Sequence, residues 1–245
     1  MAMNPRLLRP KASGFKYQSL RTGLVAYWPL NETATSGDVT AKDESGKGNN
    51  LTSNNSVLST AGLIGNARDF VATNSEFLSI ASNADMQFGN KDWTLTCWIY
   101  PAIFAGQIVA KDMSGGREIE IRTSASNSNS LQVFIYASGG TSGTNTVLSN
   151  LTTDTWYFFA VRSVVSTGVI TVRGNASTST INRPAGQTWN STNTALNIGR
   201  RAFVGASDYF TGRIDEVAKW DRALSDSELD AIYNSGNGIN LGQRA

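Results

Sequence analysis

The segment from Phe210 to Leu229 combines a strand candidate, a turn and the start of a short helix. Ser225, followed three residues later by Glu228, forms a capping-box pattern in which each side chain satisfies a backbone N–H of the other residue. Gly236 is the predicted end of this helix. Its apolar face consists of Leu229, Ile232 and Tyr233. One short helix after a long series of strand candidates predicts a mostly β fold.

About eleven segments alternate apolar and polar residues as half-buried antiparallel strands do, and Gly-, Ser- and Asn-rich turns separate them. They are Leu24–Leu30, Ala67–Val71, Phe77–Ala81, Trp93–Tyr100, Gln107–Lys111, Glu118–Thr123, Leu131–Ala137, Trp156–Val165, Val169–Arg173, Ala195–Ile198 and Tyr209–Trp220. This pattern predicts an all-β, two-sheet antiparallel β-sandwich (jelly roll) with one short C-terminal helix.

The chain contains no histidine, which excludes Ser-His-Asp and Cys-His catalysis and removes the commonest zinc ligand. Its single cysteine, Cys97, lies on the same face of a strand as Trp93, Leu95 and Ile99, so we expect a buried thiol. No apolar stretch approaches the roughly 20 residues of a membrane span, and the first residues do not resemble a secretory signal.

Residues 1–22 differ in charge from the rest of the chain. They carry five basic residues and no acidic one, although the whole chain has a net charge of only +2. We therefore divide the chain into an extended basic N-terminal arm (1–22) and a β-sandwich domain (23–245). The arm is expected to act as an anchor to other subunits through Arg6, Arg9, Lys11, Lys16 and Arg21. It is too sparse in aromatic residues to predict specific binding of nucleic acid.

A series of motifs occurs in the order typical of one family. They are Gly23-Leu-Val-Ala-Tyr-Trp-Pro-Leu-Asn-Glu, Asp43-Glu-Ser-Gly-Lys-Gly-Asn-Asn-Leu, Gly65-Asn-Ala-Arg-Asp-Phe, Phe77-Leu-Ser-Ile, Trp93-Thr-Leu-Thr-Cys-Trp-Ile-Tyr-Pro, Thr155-Trp-Tyr-Phe-Phe-Ala-Val-Arg, Ile170-Thr-Val-Arg-Gly-Asn, Leu196-Asn-Ile-Gly and the Phe210–Leu229 segment. Over residues 23–236 the chain resembles the laminin-G-like, concanavalin-A-like jelly-roll family. That fold hosts lectins, glucanases, adhesion modules and viral proteins, so the resemblance implies a fold and leaves the ligand open.

The loop that begins at Asp43 offers hard oxygen ligands of the kind that calcium prefers, from Asp43, Glu44, Ser45 and Asn49. The resemblance implies that one structural calcium ion would lie between Asp43 and the acidic pair Asp215 and Glu216. The alternative is an ordinary turn closed by the aspartate side chain, with the acids exposed to solvent.

Two further groups of residues are candidates for sugar chemistry. Tyr136, Trp189, Phe203 and Tyr209 lie in polar stretches where exposed rings could stack on sugars. Strand periodicity places Glu118, Glu120 and Arg122 on one face, where two carboxylates could act as in laminarinase-type glycosidases. The resemblance implies a third acid at the position of Arg122, so the alternative is a solvent-facing strand with ion pairs, and we expect no catalytic residue.

Three functions remain open. We expect a non-enzymatic display component of a larger assembly, such as a decoration or fibre protein on a phage virion surface, whose jelly roll binds host glycans. The first alternative is a free-standing, calcium-dependent carbohydrate-binding module, located extracellularly or at a cell surface. The second alternative is a laminarinase-like glycoside hydrolase.

Overall fold

The computed structural model describes residues 16–113, 116–126, 128–138, 142–202 and 208–244. Within these residues the elements are β1 (Leu24–Trp28), β2 (Thr52–Asn54), β3 (Leu58–Ala61), β4 (Asn66–Phe70), β5 (Phe77–Ile80), β6 (Trp93–Pro101), β7 (Gln107–Met113), β8 (Gly116–Ser124), β9 (Ser130–Tyr136), β10 (Ser142–Leu148), β11 (Tyr157–Val164), β12 (Val169–Gly174), β13 (Ser177–Asn182), β14 (Leu196–Ile198), β15 (Gly212–Trp220) and α1 (Asp226–Tyr233). Each strand predicted from the sequence is present. Four strands, β2, β3, β10 and β13, were not predicted.

The strands form two antiparallel sheets. The eight-stranded sheet has the order β13-β12-β11-β6-β15-β4-β3, and β1 also pairs with β15. The seven-stranded sheet has the order β10-β9-β8-β7-β14-β5-β2. A cluster of buried apolar residues from both sheets forms the central core. Two antiparallel sheets around one core make a β-sandwich, which confirms the predicted fold class.

Strand β6 shows how the sequence sorts side chains between two apolar layers. Trp93, Leu95, Cys97 and Ile99 belong to the central core. Trp98 belongs to a second apolar cluster on the other side of the sheet. Burial raises the pKa of the Cys97 thiol to about 12, so Cys97 packs as a small protonated hydrophobe.

The second cluster covers the outer face of the eight-stranded sheet. Helix α1 and the segments before β1 and after α1 lie on this face. Trp220 Nε1 donates a hydrogen bond to the backbone oxygen of Leu20 at 2.6 Å. The covering residues are Leu20, Leu224, Leu229, Ile232, Ile239 and Leu241. Because these residues bury apolar area against the sheet, this face is a second core and not an open surface.

Helix α1 begins as predicted and ends earlier than predicted. Ser225 Oγ accepts from the backbone N–H of Glu228 at 3.2 Å, and Glu228 Oε2 accepts from that of Ser225 at 2.8 Å. Hydrogen bonds from Arg222 hold the pKa of Glu228 down at about 2. The helix stops at Asn234, whose φ of 47° provides the left-handed cap that was assigned to Gly236. Asparagine tolerates this conformation, so glycine is not required there.

Strand β15 contains a bulge. Its pairing with β6 shifts between Asp215 and Ala218, and Glu216 has a φ of 50°. The extra residue lets Ile214 and Val217 both face the central core despite their odd spacing. The carboxyl groups of Asp215 and Glu216 therefore lie on the side of the second apolar cluster.

Residues 1–15, which include Arg6, Arg9 and Lys11, lie outside the described residues. The two other anchor candidates contact the sandwich. The backbone N–H of Lys16 donates to the oxygen of Gln243 at 2.9 Å, and Arg21 Nη1 donates to the oxygen of Leu241 at 3.2 Å. No helix in the described part of the chain is long and apolar enough to cross a membrane.

Candidate functional site

The outer face of the seven-stranded sheet carries polar and charged side chains. In β8, Ile119 and Ile121 belong to the central core, whereas Glu120 and Arg122 point to the other side. Helix α1 packs on the opposite sheet, so it leaves this face free. We call this surface the polar face. It is formed by the outward side chains of β7, β8, β9, β14 and β5.

Glu120 lies at the centre of a hydrogen-bonded network on the polar face, and only 1% of it is exposed. Its carboxylate accepts from Tyr136 Oη at 2.5 Å, Arg117 Nη2 at 2.7 Å, Gln107 Nε2 at 3.2 Å and Arg201 Nη1 at 3.4 Å. A buried carboxylate with this many donors is stabilised in a fixed orientation.

Asp112 is the second buried carboxyl group of this network. Arg117 binds it through Nε and Nη2, at 3.0 and 3.3 Å. Burial and the hydrogen bond to Glu120 raise the pKa of Asp112 to about 7. Burial also raises the pKa of Glu120, but hydrogen bonds from Asp112 and Tyr136 and the arginine charges outweigh it, so the net shift is downward. The two carboxyl groups therefore titrate as a coupled pair, in which burial favours the protonated form of Asp112.

Arg122 lies beside this network, on the same strand as Glu120. Its guanidinium carbon is 4.4 Å from the centroid of the Phe134 ring, and Nε donates to Gln132 Oε1 at 3.1 Å. No carboxylate among the described residues pairs with it. Arg122 and Phe134 are both partly exposed, so the cation and the ring are accessible from solvent.

Arg200 repeats this arrangement at the end of β14. Its guanidinium carbon lies 3.4 Å from the centroid of the Phe77 ring, and Nε donates to Asn197 Oδ1 at 3.1 Å. It too has no carboxylate partner in the described part of the chain. The polar face therefore presents two arginines that stack on aromatic rings, and the Nη groups of both donate no hydrogen bond to a described residue.

A pocket of about 380 Å³ opens next to Arg122. Gln107, Thr123 and Asp208 also line it, together with the loop at Phe104. Its volume falls within the range of about 300–1,000 Å³ that is usual for small-molecule sites.

Glu118 and Glu120 have separate sets of hydrogen-bond partners. The pairing of β7 with β8 shifts between Lys111 and Asp112, which gives Glu118 a separate set of partners. Glu118 forms a buried ion pair with Lys111 and accepts from the backbone N–H of Thr192 at 2.5 Å. The two glutamates share no hydrogen-bond partner, and they are 2% and 1% exposed. The strand is thus not solvent-facing here, because a bulge and long polar neighbours cover both acids.

The predicted sugar platform changes in composition. Trp189 is 4% exposed and belongs to the central core, so the prediction of a ligand contact is wrong for this ring. Tyr136 is 7% exposed and Arg117 lies 4.1 Å from its ring centroid, so it serves the Glu120 network. Tyr209 is partly exposed and lies beside Phe77, 6.4 Å between centroids. Phe203 lies outside the described residues.

The Asp43 loop is closed by its own hydrogen bonds. Asp43 Oδ1 accepts from the backbone N–H groups of Tyr27 and Ser45, at 2.9 and 2.8 Å. Asp43 Oδ2 accepts from Ser45 Oγ at 2.8 Å and from the backbone N–H of Asn49 at 2.9 Å. Asn49 in turn donates to Val25 O at 2.8 Å and ties the loop to β1. This is the aspartate-closed turn that was the alternative to a metal loop. The expected exposure of the acids to solvent is wrong for Asp215 and Glu216, which are buried.

Asp215 and Glu216 lie apart from the Asp43 carboxylate. Asp215 Oδ2 accepts from the backbone N–H groups of Leu63 and Ile64, at 2.9 and 3.1 Å, and burial raises its pKa to about 7. Glu216 Oε2 accepts from Tyr27 Oη at 2.5 Å, and burial raises its pKa to about 9. Tyr27 thus contacts Asp43 through its backbone nitrogen and Glu216 through its phenol, at opposite ends of the residue.

The donor set as it stands does not fit calcium. Calcium needs six to eight oxygen ligands, but both oxygens of Asp43 already accept protein hydrogen bonds, and burial favours the protonated forms of Asp215 and Glu216. The described residues contain no group of three or more acidic, histidine or cysteine side chains placed to hold a metal.

Arg122, Arg200 and Phe134 were not predicted as ligand contacts. The sequence did contain a signal for one of them, because the alternation of β8 placed Arg122 outward. The position of Arg122 over Phe134 depends on the register between β8 and β9. The sequence of either strand alone does not indicate that register.

Comparison with known proteins agrees with this architecture. The family described as the concanavalin A-like lectin/glucanases superfamily matches residues 73–230. The chain belongs to this superfamily. A search of curated protein sequences finds no match.

Solved structures share the fold at low sequence identity. The binding domain of Paraclostridial Mosquitocidal Protein 1 is 17% identical with a TM-score of 0.69, over 89% of this chain and 53% of that one. Domain 4 of AbnA, an extracellular GH43 arabinanase from Geobacillus stearothermophilus solved with arabinotriose, is 15% identical with a TM-score of 0.62, over 88% of this chain and 98% of that one. The binding domain of botulinum neurotoxin DC with SialylT is 12% identical with a TM-score of 0.67, over 88% and 52%. This superfamily member thus spans about half the length of the toxin domains that it matches.

Proposed function

We propose that the protein is a non-enzymatic glycan-binding domain and that the polar face is its binding surface. One observation carries this proposal. Arg122 and Arg200 are held over aromatic rings on the sheet face that α1 leaves free, and no described carboxylate neutralises them. Ring edges and guanidinium groups together suit a sugar that bears hydroxyl groups and an acidic substituent.

Two of the similar structures support a sugar ligand. The arabinanase domain was solved with arabinotriose and the botulinum neurotoxin domain with SialylT. Both share the sandwich with this chain at low identity, so their ligands indicate a class of compound and no particular sugar.

The expected function does not include hydrolysis. The carboxylates of Glu118 and Glu120 each accept hydrogen bonds from several protein groups. Arg122 stands where the laminarinase pattern has a third acid. A glycosidase needs one carboxyl group free to protonate a leaving oxygen and another to attack or to activate water. Incubation with acidic and neutral oligosaccharides should release no reducing sugar. Release that is lost in Glu120→Gln would contradict a purely binding role.

The binding proposal is tested on a glycan array with matched variants. Arg122→Ala and Arg200→Ala should each weaken binding of acidic glycans about tenfold, a loss of roughly 1.4 kcal/mol. Arg213→Ala is the matched control, because Arg213 also lies over a ring, 4.9 Å from the Tyr100 centroid, on the other sheet. Equal losses in Arg122→Ala and Arg213→Ala, or no bound glycan at all, would overturn the proposal.

We also propose that the domain is displayed on a larger assembly, such as a virion surface, through its N-terminal arm. The contact between Lys16 and Gln243 supports this arrangement. Residue 16 contacts the C-terminal segment that packs on the outer face of the eight-stranded sheet, so a domain attached through residues 1–15 would keep the polar face open. The full chain should form or join assemblies in sedimentation velocity, whereas a chain starting at Lys16 should remain a folded monomer with unchanged glycan binding. A monomeric full chain would favour the free-standing module.

A further inference from the structure

The pocket beside Arg122 opens where β7 begins and β8 ends, and its volume is about 380 Å³. One wall is the start of β7 with the loop before it, residues 104–107. The opposite wall is the end of β8 with the residues after it, 122–126, and Asp208 completes the lining. We call this space the Arg122 pocket.

Gln107 gives the Arg122 pocket a buried acceptor that the protein leaves unused. Its side chain is fully buried, and its Oε1 has no hydrogen-bond partner in the part of the chain that the structure describes. Its Nε2 donates to Glu120 Oε2 at 3.2 Å, so a reversed amide would place Oε1 against that carboxylate. Oε1 therefore stays turned away from Glu120. A buried acceptor without a donor is costly, and a donor group of a ligand in the pocket would satisfy it.

Two opposite charges line the Arg122 pocket without pairing with each other. The guanidinium of Arg122 is held over Phe134 and by Gln132, and its Nη groups donate no hydrogen bond to a described residue. Asp208 pairs with Arg201 Nη2 at 2.8 Å, yet its side chain is still 41% exposed. No ion pair joins Arg122 to Asp208. The pocket therefore presents a cation and an anion to one ligand.

Strand pairing places these three side chains side by side. Gln107 and Arg122 are partners in the register between β7 and β8, so their β-carbons lie about 4.5–5.5 Å apart. The backbone N–H of Gln107 donates to Asp208 O at 3.2 Å, which brings Asp208 to the same strand end. Gly106 permits this close approach, because a β-carbon there would overlap the oxygen of Tyr209. A site that is assembled before the ligand arrives loses less conformational entropy on binding.

The chemistry of these groups restricts the ligand. A guanidinium with unused N–H groups matches a carboxylate. An ammonium group has three donors and no acceptor, so it matches the unpaired oxygen of Gln107 and the carboxylate of Asp208. An α-amino acid carries both groups on one carbon atom, which suits partners on facing residues of two strands. Apolar surface from Phe104, Ala105 and Ala125 lies in the same pocket and can contact the ligand's side chain.

We infer that the Arg122 pocket binds a small zwitterion, namely an α-amino acid or a dipeptide. The ligand's carboxylate pairs with Arg122, and its ammonium group donates to Gln107 Oε1 and to Asp208. This inference goes beyond the proposed function, because an ammonium group decides which ligand binds. Of the three side chains, Arg122 alone is also assigned to glycan binding.

The test is a titration of the full chain with L-alanine, L-leucine, L-phenylalanine and the dipeptide of two alanines, followed by ¹⁵N-resolved NMR. At least one of these probes should give saturable shifts, concentrated at residues 104–107, 122–126 and 208. The N-acetylated and the C-terminally amidated form of that probe each lack one charge. Both should bind at least tenfold more weakly than the free compound.

Two surface variants test the charged partners. Arg122→Ala and Asp208→Asn should each weaken binding of the probe at least tenfold and change the melting temperature little, because both side chains are partly exposed. Gln107→Met keeps the volume of the side chain and removes its oxygen, so it should also weaken binding.

Arg213→Ala is the matched control, because Arg213 lies over the Tyr100 ring on the other sheet and its loss should leave binding of the probe as it is. The inference is overturned if no probe gives saturable shifts, if the acetylated and amidated forms bind as tightly as the free compound, or if Arg213→Ala weakens binding as much as Arg122→Ala. The glycan array uses different ligands, so the inference and the proposed function can fail separately.

Discussion

Replacement of Glu216 by glutamine should change how the stability of the protein depends on pH. Glu216 lies under the chain after α1, and Tyr27 Oη donates to its Oε2 at 2.5 Å. Tyr27 Oη also accepts from the backbone N–H of Leu241 at 3.1 Å. Glutamine keeps the size and the acceptor oxygen of the protonated acid, so Glu216→Gln removes the ionisation and little else.

The magnitude follows from the pKa of Glu216, which burial raises from 4.5 to about 9. Because the folded state holds this proton more tightly than the unfolded state, the group stabilises the fold fully below about pH 4.5 and loses that effect as the pH rises through about 9. Each pH unit inside this window costs about 1.4 kcal/mol. Between pH 5 and pH 8 the unfolding free energy of the parent should fall relative to that of Glu216→Gln by about 4 kcal/mol.

The assay is urea unfolding of both proteins at one-unit steps from pH 5 to pH 10, monitored by tryptophan fluorescence. Asp215 is present in both proteins, so its own titration largely cancels in the difference. Lys219→Met is the control of opposite sign. Lys219 Nζ donates to Asp85 O at 2.6 Å, and burial lowers its pKa from 10.5 to about 7. The parent should therefore gain stability relative to Lys219→Met as the pH rises from 7 to 10.

Parallel stability curves for the parent and Glu216→Gln would refute the reasoning. They would mean that water reaches the Glu216 carboxylate and that the acid titrates alike in the folded and unfolded states. If the parent does gain stability relative to Lys219→Met as the pH rises, the same experiment shows that urea unfolding can detect a shifted pKa.

Lys111→Met should lower the unfolding free energy by about 3–5 kcal/mol in urea unfolding, because it leaves the buried Glu118 without its cation. The double variant Lys111→Met with Glu118→Gln should recover part of that loss. No recovery in the double variant would show that the two groups are not coupled. Ser225→Ala should cost about 1 kcal/mol through loss of the helix cap, measured in the same way, and a change below ~0.3 kcal/mol would contradict a stabilising cap. EDTA should leave the melting temperature unchanged, because both carboxylate oxygens of Asp43 already accept hydrogen bonds within the turn. A fall in melting temperature that excess calcium reverses would support the calcium hypothesis instead.

The strands inside the two sheet orders and β1 could be predicted from the sequence, and the strands at the ends of the two orders could not. The four unpredicted strands, β2, β3, β10 and β13, are the four ends of the two sheet orders. Their sequences are Thr-Ser-Asn, Leu-Ser-Thr-Ala, Ser-Gly-Thr-Asn-Thr-Val-Leu and Ser-Thr-Ser-Thr-Ile-Asn. An edge strand pairs on one side only and needs few apolar residues, so hydrophobic alternation is weak where polar residues protect the edge.

The candidate site was less predictable for a related reason. The sequence gives the direction of a side chain along one strand, but not its neighbours on the next strand. Arg122 was placed outward correctly, whereas its ring partner Phe134 depends on the pairing of β8 with β9. Trp189 was misassigned because a polar neighbourhood in sequence does not reveal that the ring turns into the core.

The contact between the backbones of Lys16 and Gln243 has a consequence for engineering. A chain that enters and leaves a domain at one point can be inserted into a loop of another protein, or cut elsewhere and rejoined at that point. A circular permutant that joins residues 16 and 243 by a few glycines and opens at a surface turn of the sandwich should therefore keep the fold. Residues 16 and 243 thus form one place at which the domain can be joined to another protein.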